Sequence, residues 1–154
     1  MSGVSDLKQR LRTDLTAAIK GRDPLTSSTL RMALAAVQSA EMAGSTPREL
    51  SDEDVQSVLG TEVKRRKEAA DAFHGAGRGE QAAKEESEAE ILRAYLPQQL
   101  SAGDLTAAVA HAIAETGATD PKAMGQVMKA VMAKVQGRAD GKEVSAEVRR
   151  QLTG

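Results

Sequence analysis

Basic residues are concentrated towards the end of the chain. From Pro121 to Gly154 there are seven Lys or Arg residues against three acidic ones, a net charge of +4, and the segment 122–136 contains no acid. Such side chains bind phosphate without reading sequence, which suits recognition of a folded RNA by its shape. A basic helix face that is simply solvated is the alternative interpretation. The predicted RNA-contact residues are Lys122, Gln126, Lys129, Lys134, Arg138 and Lys142.

Three other groups of polar residues could support chemistry, but each also has a structural explanation. Lys64 to Lys67 could bind phosphate, yet the acids that follow this run favour intrahelical ion pairs and contacts with the next helix. The carboxylates from Glu85 to Glu90 lack apolar neighbours, so we interpret them as a solvated helix face rather than an acid–base pair. His74 and His111 each lack a second ligand at a suitable spacing, which favours surface or capping roles.

The sequence offers little for catalysis. Without cysteine there can be no disulfide, no thiolate zinc site and no cysteine nucleophile. The chain also has no glycine-rich phosphate loop followed by Lys and Ser or Thr, no Ser-Ser-Lys amidase arrangement, and no cluster of His and carboxylates at metal-ligand spacing. We therefore predict no catalytic residues, no metal site and no cofactor.

Charge and hydropathy indicate a cytoplasmic protein that does not enter membranes. The 21 Lys and Arg residues nearly balance 22 Asp and Glu residues, so the net charge of −1 gives no overall attraction to nucleic acid or lipid. Residues 1–12 lack the apolar core of a signal peptide, and nowhere do about 18 uncharged apolar residues run together. Any nucleic-acid binding must therefore depend on a local patch.

The elements that position these residues are predicted to be helices throughout. Aromatic residues make up only 1 % of the chain, and a core of Leu, Val, Ile, Met and Ala suits closely packed helices better than a sheet. Apolar residues at three- and four-residue steps predict four helices in residues 1–96, and the last two of these form a long helical hairpin. The predicted starts are polar caps at Ser5 or Asp6, at Asp23 before a proline, and at Ser51 with Asp54.

A second module is predicted from residue 97 to residue 154, because Pro97 ends one helix and Ser101 with Asp104 begins the next. It would contain three helices, the second beginning at Asp120 and Pro121 and followed, after Gln136, by a turn at 137–141. That second helix has the clearest amphipathic stripe in the chain, from which we expect a methionine-rich core. The stripe consists of Met124, Val127, Met128, Val131, Met132 and Val135.

These residues carry a resemblance to a known family. The run MGQVMKAVM at Met124–Met132, the GRADG turn at 137–141, and Val144 with Ser145 resemble the closing signature of the GatB/YqeY family. Further matches, to its free-standing YqeY branch, are Arg65, Arg66, Phe73, Gly77, Arg78, Glu88, Tyr95, Leu96, Pro97, Gln99, Leu100 and Ser101, with weaker ones at Arg31 and Glu41. The resemblance implies a helical N-terminal part joined to a three-helix domain similar to the tail of the B subunit of glutamine-dependent tRNA amidotransferase.

In that enzyme the tail engages tRNA while separate domains carry the chemistry, and the family is associated with carbon–nitrogen ligation that uses glutamine as amide donor. Three functional hypotheses follow. The first is a non-catalytic tRNA-interacting accessory protein. The second is an accessory to amide transfer, which supplies tRNA binding to a catalytic partner from amidation or translation. The third is a helical protein–protein adaptor without an RNA role. The sequence does not fix the oligomeric state.

Overall fold

The computed structural model describes residues 5–135 and 138–154, and within these ranges the chain is all-helical, which confirms the predicted fold class. It forms two compact units, residues 1–96 and 97–154, called here the N-terminal unit and the C-terminal unit. The elements are α1 (Asp6–Lys20), α2 (Pro24–Glu41), α3 (Asp52–Gly75), α4 (Gly79–Arg93), α5 (Ala102–Thr116), a 3₁₀ turn (Pro121–Ala123), α6 (Met124–Val135) and α7 (Gly141–Thr153).

Side-chain caps begin the helices at the predicted positions. Ser51 and Asp54 form a reciprocal capping box, in which each side chain accepts a hydrogen bond from the other residue's backbone N–H. These bonds satisfy N–H groups that have no partner within the helix. The same role is played by Ser5, Asp23 and Ser101. The predicted start at Asp120 differs, because the chain first makes the 3₁₀ turn and only then α6.

The N-terminal unit has a core of leucine, valine and alanine from all four helices, completed by Leu50 and Tyr95 from the segments beside them. α3 and α4 form a hairpin, and the chain reverses through Gly77, whose φ of +73° is a conformation that L side chains rarely adopt. The core residues are Leu7, Leu11, Leu30, Ala33, Val37, Leu50, Val55, Leu59, Val63, Ala89, Leu92 and Tyr95.

Charged side chains are buried inside the α3–α4 hairpin. The Arg66 side chain is only 5 % exposed and the Glu88 side chain 8 %, with Arg66 Nε 3.4 Å from Glu88 Oε2. Arg66 Nη1 lies 3.2 Å from Glu62 Oε1, and the exposed Arg65 pairs with the same glutamate. The predicted intrahelical pair is therefore confirmed for both arginines, and the predicted contact with the next helix is confirmed for Arg66, although the intrahelical partner precedes the arginines instead of following them.

The expectation that residues 85–90 form a solvated face is wrong for Glu88. Ala82 and Ala89 are buried on the same helix, and such small side chains allow α4 to approach α3 closely. The Glu88 carboxylate is therefore buried between α3 and α4. Arg66 provides the opposite charge that a buried carboxylate requires. Sequence periodicity did not reveal this, because alanine on a helix of low apolar content gives a weak stripe.

Tyr95 holds the end of the N-terminal unit against α1. Its hydroxyl donates a hydrogen bond to the Asp14 carboxylate, and the Arg10 guanidinium carbon lies 4.6 Å from the ring centroid. Burial, together with the Asp14 carboxylate, raises the pKa of the Tyr95 hydroxyl, which keeps it protonated as a donor. The guanidinium and the ring form a cation–π contact.

The C-terminal unit has a valine core, so the expected methionine-rich core is wrong. Met124 and Met128 are only partly buried, and Met132 is 39 % exposed. Met124, Met128 and Met132 follow each other at four-residue steps, as Val127, Val131 and Val135 do, but the two stripes are offset around the helix. The valine stripe is fully buried, while Met124 and Met128 pack at the edge of the core. The fully buried valines of this unit are Val109, Val127, Val131, Val135, Val144 and Val148.

Gly117 ends α5 with a φ of +69°, a left-handed conformation that favours glycine. The predicted helix end at Gln136 and the glycine at position 137 lie outside the described residues. None of the helices that the structure describes has both the length and the apolar character needed to cross a bilayer.

Candidate nucleic-acid interface

The candidate interface begins at the 3₁₀ turn before α6. The Asp120 carboxylate accepts a 2.8 Å hydrogen bond from the backbone N–H of Lys122, and Pro121 occupies the first position of the turn. Proline is favoured there because its missing N–H would have no partner in any case. The turn leaves the Lys122 side chain exposed at the entrance to α6.

The exposed side of α6 carries Gln126 and Lys129. Val127, Val131 and Val135 face the core, and at 100° per residue Lys129 lies on the opposite side of the helix. Lys122 and Lys129 make no ion pair or side-chain hydrogen bond with any residue that the structure describes. Because α6 and the turn before it contain no acid, no carboxylate on these elements neutralises the two ammonium groups.

Lys134 is placed differently from Lys129. Its ammonium group lies 3.2 Å from Glu115 Oε2 and 3.0 Å from His111 Nδ1, both on α5. The five-residue step from Lys129 rotates Lys134 to the flank of α6 that meets α5. Its charge is therefore already shared with a carboxylate. His111 is exposed beside this pair, as predicted for a surface residue.

Arg138 makes hydrogen bonds to Gln98 and Leu100, near the beginning of the C-terminal unit. Its Nε donates a 2.9 Å hydrogen bond to the Gln98 carbonyl, and its own carbonyl accepts a 2.8 Å bond from the Leu100 N–H. Because the Nε bond holds the guanidinium and the Leu100 bond holds the backbone, Arg138 has a structural role whether or not it contacts a ligand. The Arg138 side chain remains exposed to solvent.

Lys142 stands in the first turn of α7, after the Asp140 cap, and its side chain is exposed and without an ionic partner among the described residues. Arg149 is also exposed and likewise has no ionic partner within the described ranges. A seven-residue step places it on the same side of α7 as Lys142. Arg149 was absent from the predicted contact set, although this helical spacing was the signal that could have revealed it.

Arg150, in contrast, is paired with Glu147. Arg150 Nε and Nη2 each lie 2.7 Å from a Glu147 oxygen, and Gln151 Nε2 donates to the same carboxylate. The hydrogen bonds from Arg150, and then the one from Gln151, lower the pKa of Glu147 to about 2. α7 therefore has two different sides. Lys142 and Arg149 lie on a side whose basic groups have no ionic partner among the described residues, whereas Arg150 is paired with Glu147.

The N-terminal unit places its histidine in a surface contact. His74 Nε2 lies 2.8 Å from Glu86 Oε1, and both side chains are more than half exposed. Across residues 5–135 and 138–154 there is no group of three or more His, Asp or Glu side chains that could hold a metal ion. Lys64 and Lys67 are exposed and have no ionic partner in this part of the chain.

Comparison with known proteins gives two matches. The family model described as Yqey-like protein matches residues 8–152, nearly the whole chain. The Schizosaccharomyces pombe (strain 972) protein named uncharacterized protein C22F3.15 is 34 % identical over 100 residues, which is 65 % of this chain and 80 % of the yeast protein. Both the N-terminal helices and the basic C-terminal unit lie within the family match. The chain therefore belongs to the YqeY-like family.

Proposed function

We propose that this chain is a tRNA-interacting accessory protein and that the open cations of its C-terminal unit make the contact. The observation that carries the proposal is the set of exposed lysines on or beside acid-free α6 that have no ionic partner within residues 5–135 and 138–154. Lys122 and Lys129 lie there, and Lys142 with Arg149 adds a second free basic side on α7. These four residues are called the open basic set.

The open basic set is suited to binding the phosphates of a folded RNA, which is recognised by its shape and not by its sequence. An unpaired ammonium group can release counterions from RNA phosphates without first breaking a protein ion pair, as Lys134 would have to do. Gln126 is exposed on the same side of α6 and can add a neutral hydrogen bond to a sugar or phosphate oxygen. Phe, Tyr and Trp are absent between Pro97 and Gly154, which leaves few side chains for base stacking, so contact through the backbone of a folded RNA is favoured.

The association with amide transfer is the second part of the proposal. The resemblance of the C-terminal unit to the tail of the amidotransferase B subunit implies that this chain holds tRNA while a separate partner performs glutamine-dependent amidation. The chain would then contribute binding and no reacting group. Amidation reconstituted with and without the protein tests this part, and an unchanged rate at limiting tRNA would contradict it.

The RNA-binding part is tested by titrating the full chain with bulk tRNA at several salt concentrations. Neutralising Lys129 with K129Q should weaken binding and reduce the slope of log K against log salt by about one, because one phosphate contact is removed. K67Q is the matched control, since Lys67 on α3 is also exposed, has no ionic partner among the described residues and lies outside the open basic set.

Two results would contradict the RNA-binding part: no binding of tRNA by the wild-type chain at low salt, or equal losses in K129Q and K67Q. Under the first result, a protein partner recovered after RNase treatment would favour the adaptor hypothesis. K134Q provides an internal comparison. Because Lys134 is paired with Glu115, its replacement should change the salt slope less than K129Q does.

A further inference from the structure

A groove between α1 and α2 in the N-terminal unit is not used by the proposed function. Its volume is about 360 Å³, which lies within the range of small-molecule sites. Its lining residues are Lys8, Arg12, Leu15, Arg31, Leu34, Ala35, Gln38 and Glu41. We call it the α1–α2 groove.

Two helical stripes form the walls of this groove. Lys8, Arg12 and Leu15 follow each other at four- and three-residue steps on α1, while Arg31, Ala35 and Gln38 do the same on α2. The three-residue connection between the helices makes them antiparallel neighbours. The small Ala35 side chain leaves room between the walls, and Leu15 and Leu34 are partly buried beside it.

An ion pair identifies one end of the groove. Lys8 Nζ lies 2.8 Å from Glu41 Oε2, and each side chain is only 13 % exposed. Because the helices are antiparallel, Arg31 lies towards the other end, on the side of Leu15. Among the described lining residues Glu41 is the one carboxylate, and it is already paired with Lys8, away from Arg31.

The two arginines of the groove have no such partner. Arg12 and Arg31 are exposed, and neither guanidinium makes an ion pair or hydrogen bond with any residue that the structure describes. Arg10, Arg48 and Arg65 of this unit do have acidic neighbours, whereas Arg78, outside the groove, has none among the described residues. Three cations against one carboxylate give the groove a net charge of +2, although the chain as a whole has −1.

The geometry points to a site for a small phosphomonoester with an aliphatic body. Guanidinium groups bind phosphate through paired N–H donors, and two of them can share the three terminal oxygens of a phosphate, whereas a carboxylate is satisfied by one. A dianion matches the lining charge of +2. Leu15 and Leu34 offer apolar contact to the ligand body, the Gln38 amide offers a polar one, and the lining has no aromatic side chain on which a nucleobase could stack.

The test is a titration of the isotope-labelled full chain with inorganic phosphate and with glycerol 3-phosphate, followed by amide and arginine Nε shifts in NMR spectra. Acetate and sodium chloride at matched ionic strength are the ligand controls. Saturable shifts along α1 and α2 are expected with both phosphates and not with chloride. R12Q and R31Q should each weaken phosphate binding by about tenfold or more, because a charge-assisted contact is lost.

R78Q is the matched control variant, because Arg78 is also exposed and has no ionic partner in the described part of the chain, but lies outside the groove, before α4. It should bind phosphate like the wild type. Unchanged helical circular dichroism in all three variants would show that binding, not folding, had been altered. Equal weakening in R78Q, acetate shifts as large as those of phosphate, or no saturable shift in the wild type would each overturn the proposal.

RNA is the competing occupant, and the same variants separate it from a small ligand. If R12Q and R31Q abolish tRNA binding while the wild type shows no saturable phosphate binding, the groove is an RNA contact and the small-ligand site is wrong. The phosphate-site proposal for the groove and the RNA-binding proposal for the open basic set can be contradicted independently of each other. K129Q should retain phosphate binding, and R12Q should retain the salt dependence of tRNA binding.

Discussion

The two units of this chain place their charges differently. The N-terminal unit buries Arg66 and Glu88 together with the hydroxyl residues Ser5, Ser27 and Thr29. In the described part of the C-terminal unit no polar or charged residue is buried, and its core consists of valine, leucine and alanine. A buried pair constrains which helices may meet, whereas a hydrocarbon core leaves every charge at the surface. The difference predicts where a change of charge will affect folding and where it will affect only binding.

Replacing Arg66 should have the largest effect on stability. R66M leaves the buried Glu88 carboxylate without its cation and should lower the free energy of unfolding by about 3–5 kcal/mol. Urea denaturation of the full chain, followed by fluorescence of Tyr95, measures this, because the single tyrosine of the chain lies in the N-terminal unit.

R65M is the matched control for R66M. Arg65 also pairs with Glu62, but its side chain is 73 % exposed, so the loss should stay below about 1 kcal/mol. The double variant R66M/E88L should recover part of the lost stability, since apolar residues can replace a buried ion pair. Similar losses in R65M and R66M would show that burial does not distinguish the two arginines.

The valine core of the C-terminal unit predicts a smaller effect. V131A removes two buried methyl groups and should lower the stability of this unit by about 2 kcal/mol. Hydrogen exchange of α6 amides in the full chain reports on this unit, in which Tyr95 does not lie. M132A changes the neighbouring position, whose side chain is partly exposed, and should cost less than about 0.5 kcal/mol. A larger loss of stability in M132A than in V131A would support the methionine-rich core expected from the sequence.

Much of the fold could be predicted because it depends on local signals. Ser51 with Asp54, and Asp23 before Pro24, each produced the predicted cap, since a side-chain oxygen needs only the N–H groups of the next few residues. The all-helical class and the family followed from periodicity and from the motif at residues 124–132. These features require no knowledge of how distant segments meet.

What could not be predicted depends on which neighbour each side chain meets. The offset between the methionine and valine stripes of α6 is visible in the sequence, but only the packing of α5 and α7 decides which stripe faces inward. The same applies to the candidate contacts. Lys129 and Lys134 look equivalent in sequence, yet only Lys134 meets an acid, Glu115, from another helix. The buried position of Glu88 likewise depends on α3.

The smallest predicted effect concerns the surface pair of Glu147 and Arg150. Hydrogen bonds from Arg150 and Gln151 hold the pKa of Glu147 at about 2, below its ordinary value of 4.5. A lowered pKa in the folded state means that the stabilisation is complete above pH 4.5 and is lost as the pH falls towards 2. Because the pair is partly exposed to solvent, its contribution should be about 1 kcal/mol or less.

Unfolding of the full chain between pH 6 and pH 3, followed by hydrogen exchange in α7, measures this contribution. E147Q and R150Q should both be less stable than the wild type at pH 6, and the difference should shrink as the pH falls. R149Q removes a neighbouring arginine without an ion pair in the described chain and should show no such pH dependence. If R149Q behaved like R150Q, both arginines would serve stability equally. Arg149 would then lose its place in the open basic set, because a cation engaged in folding is no longer free for phosphate.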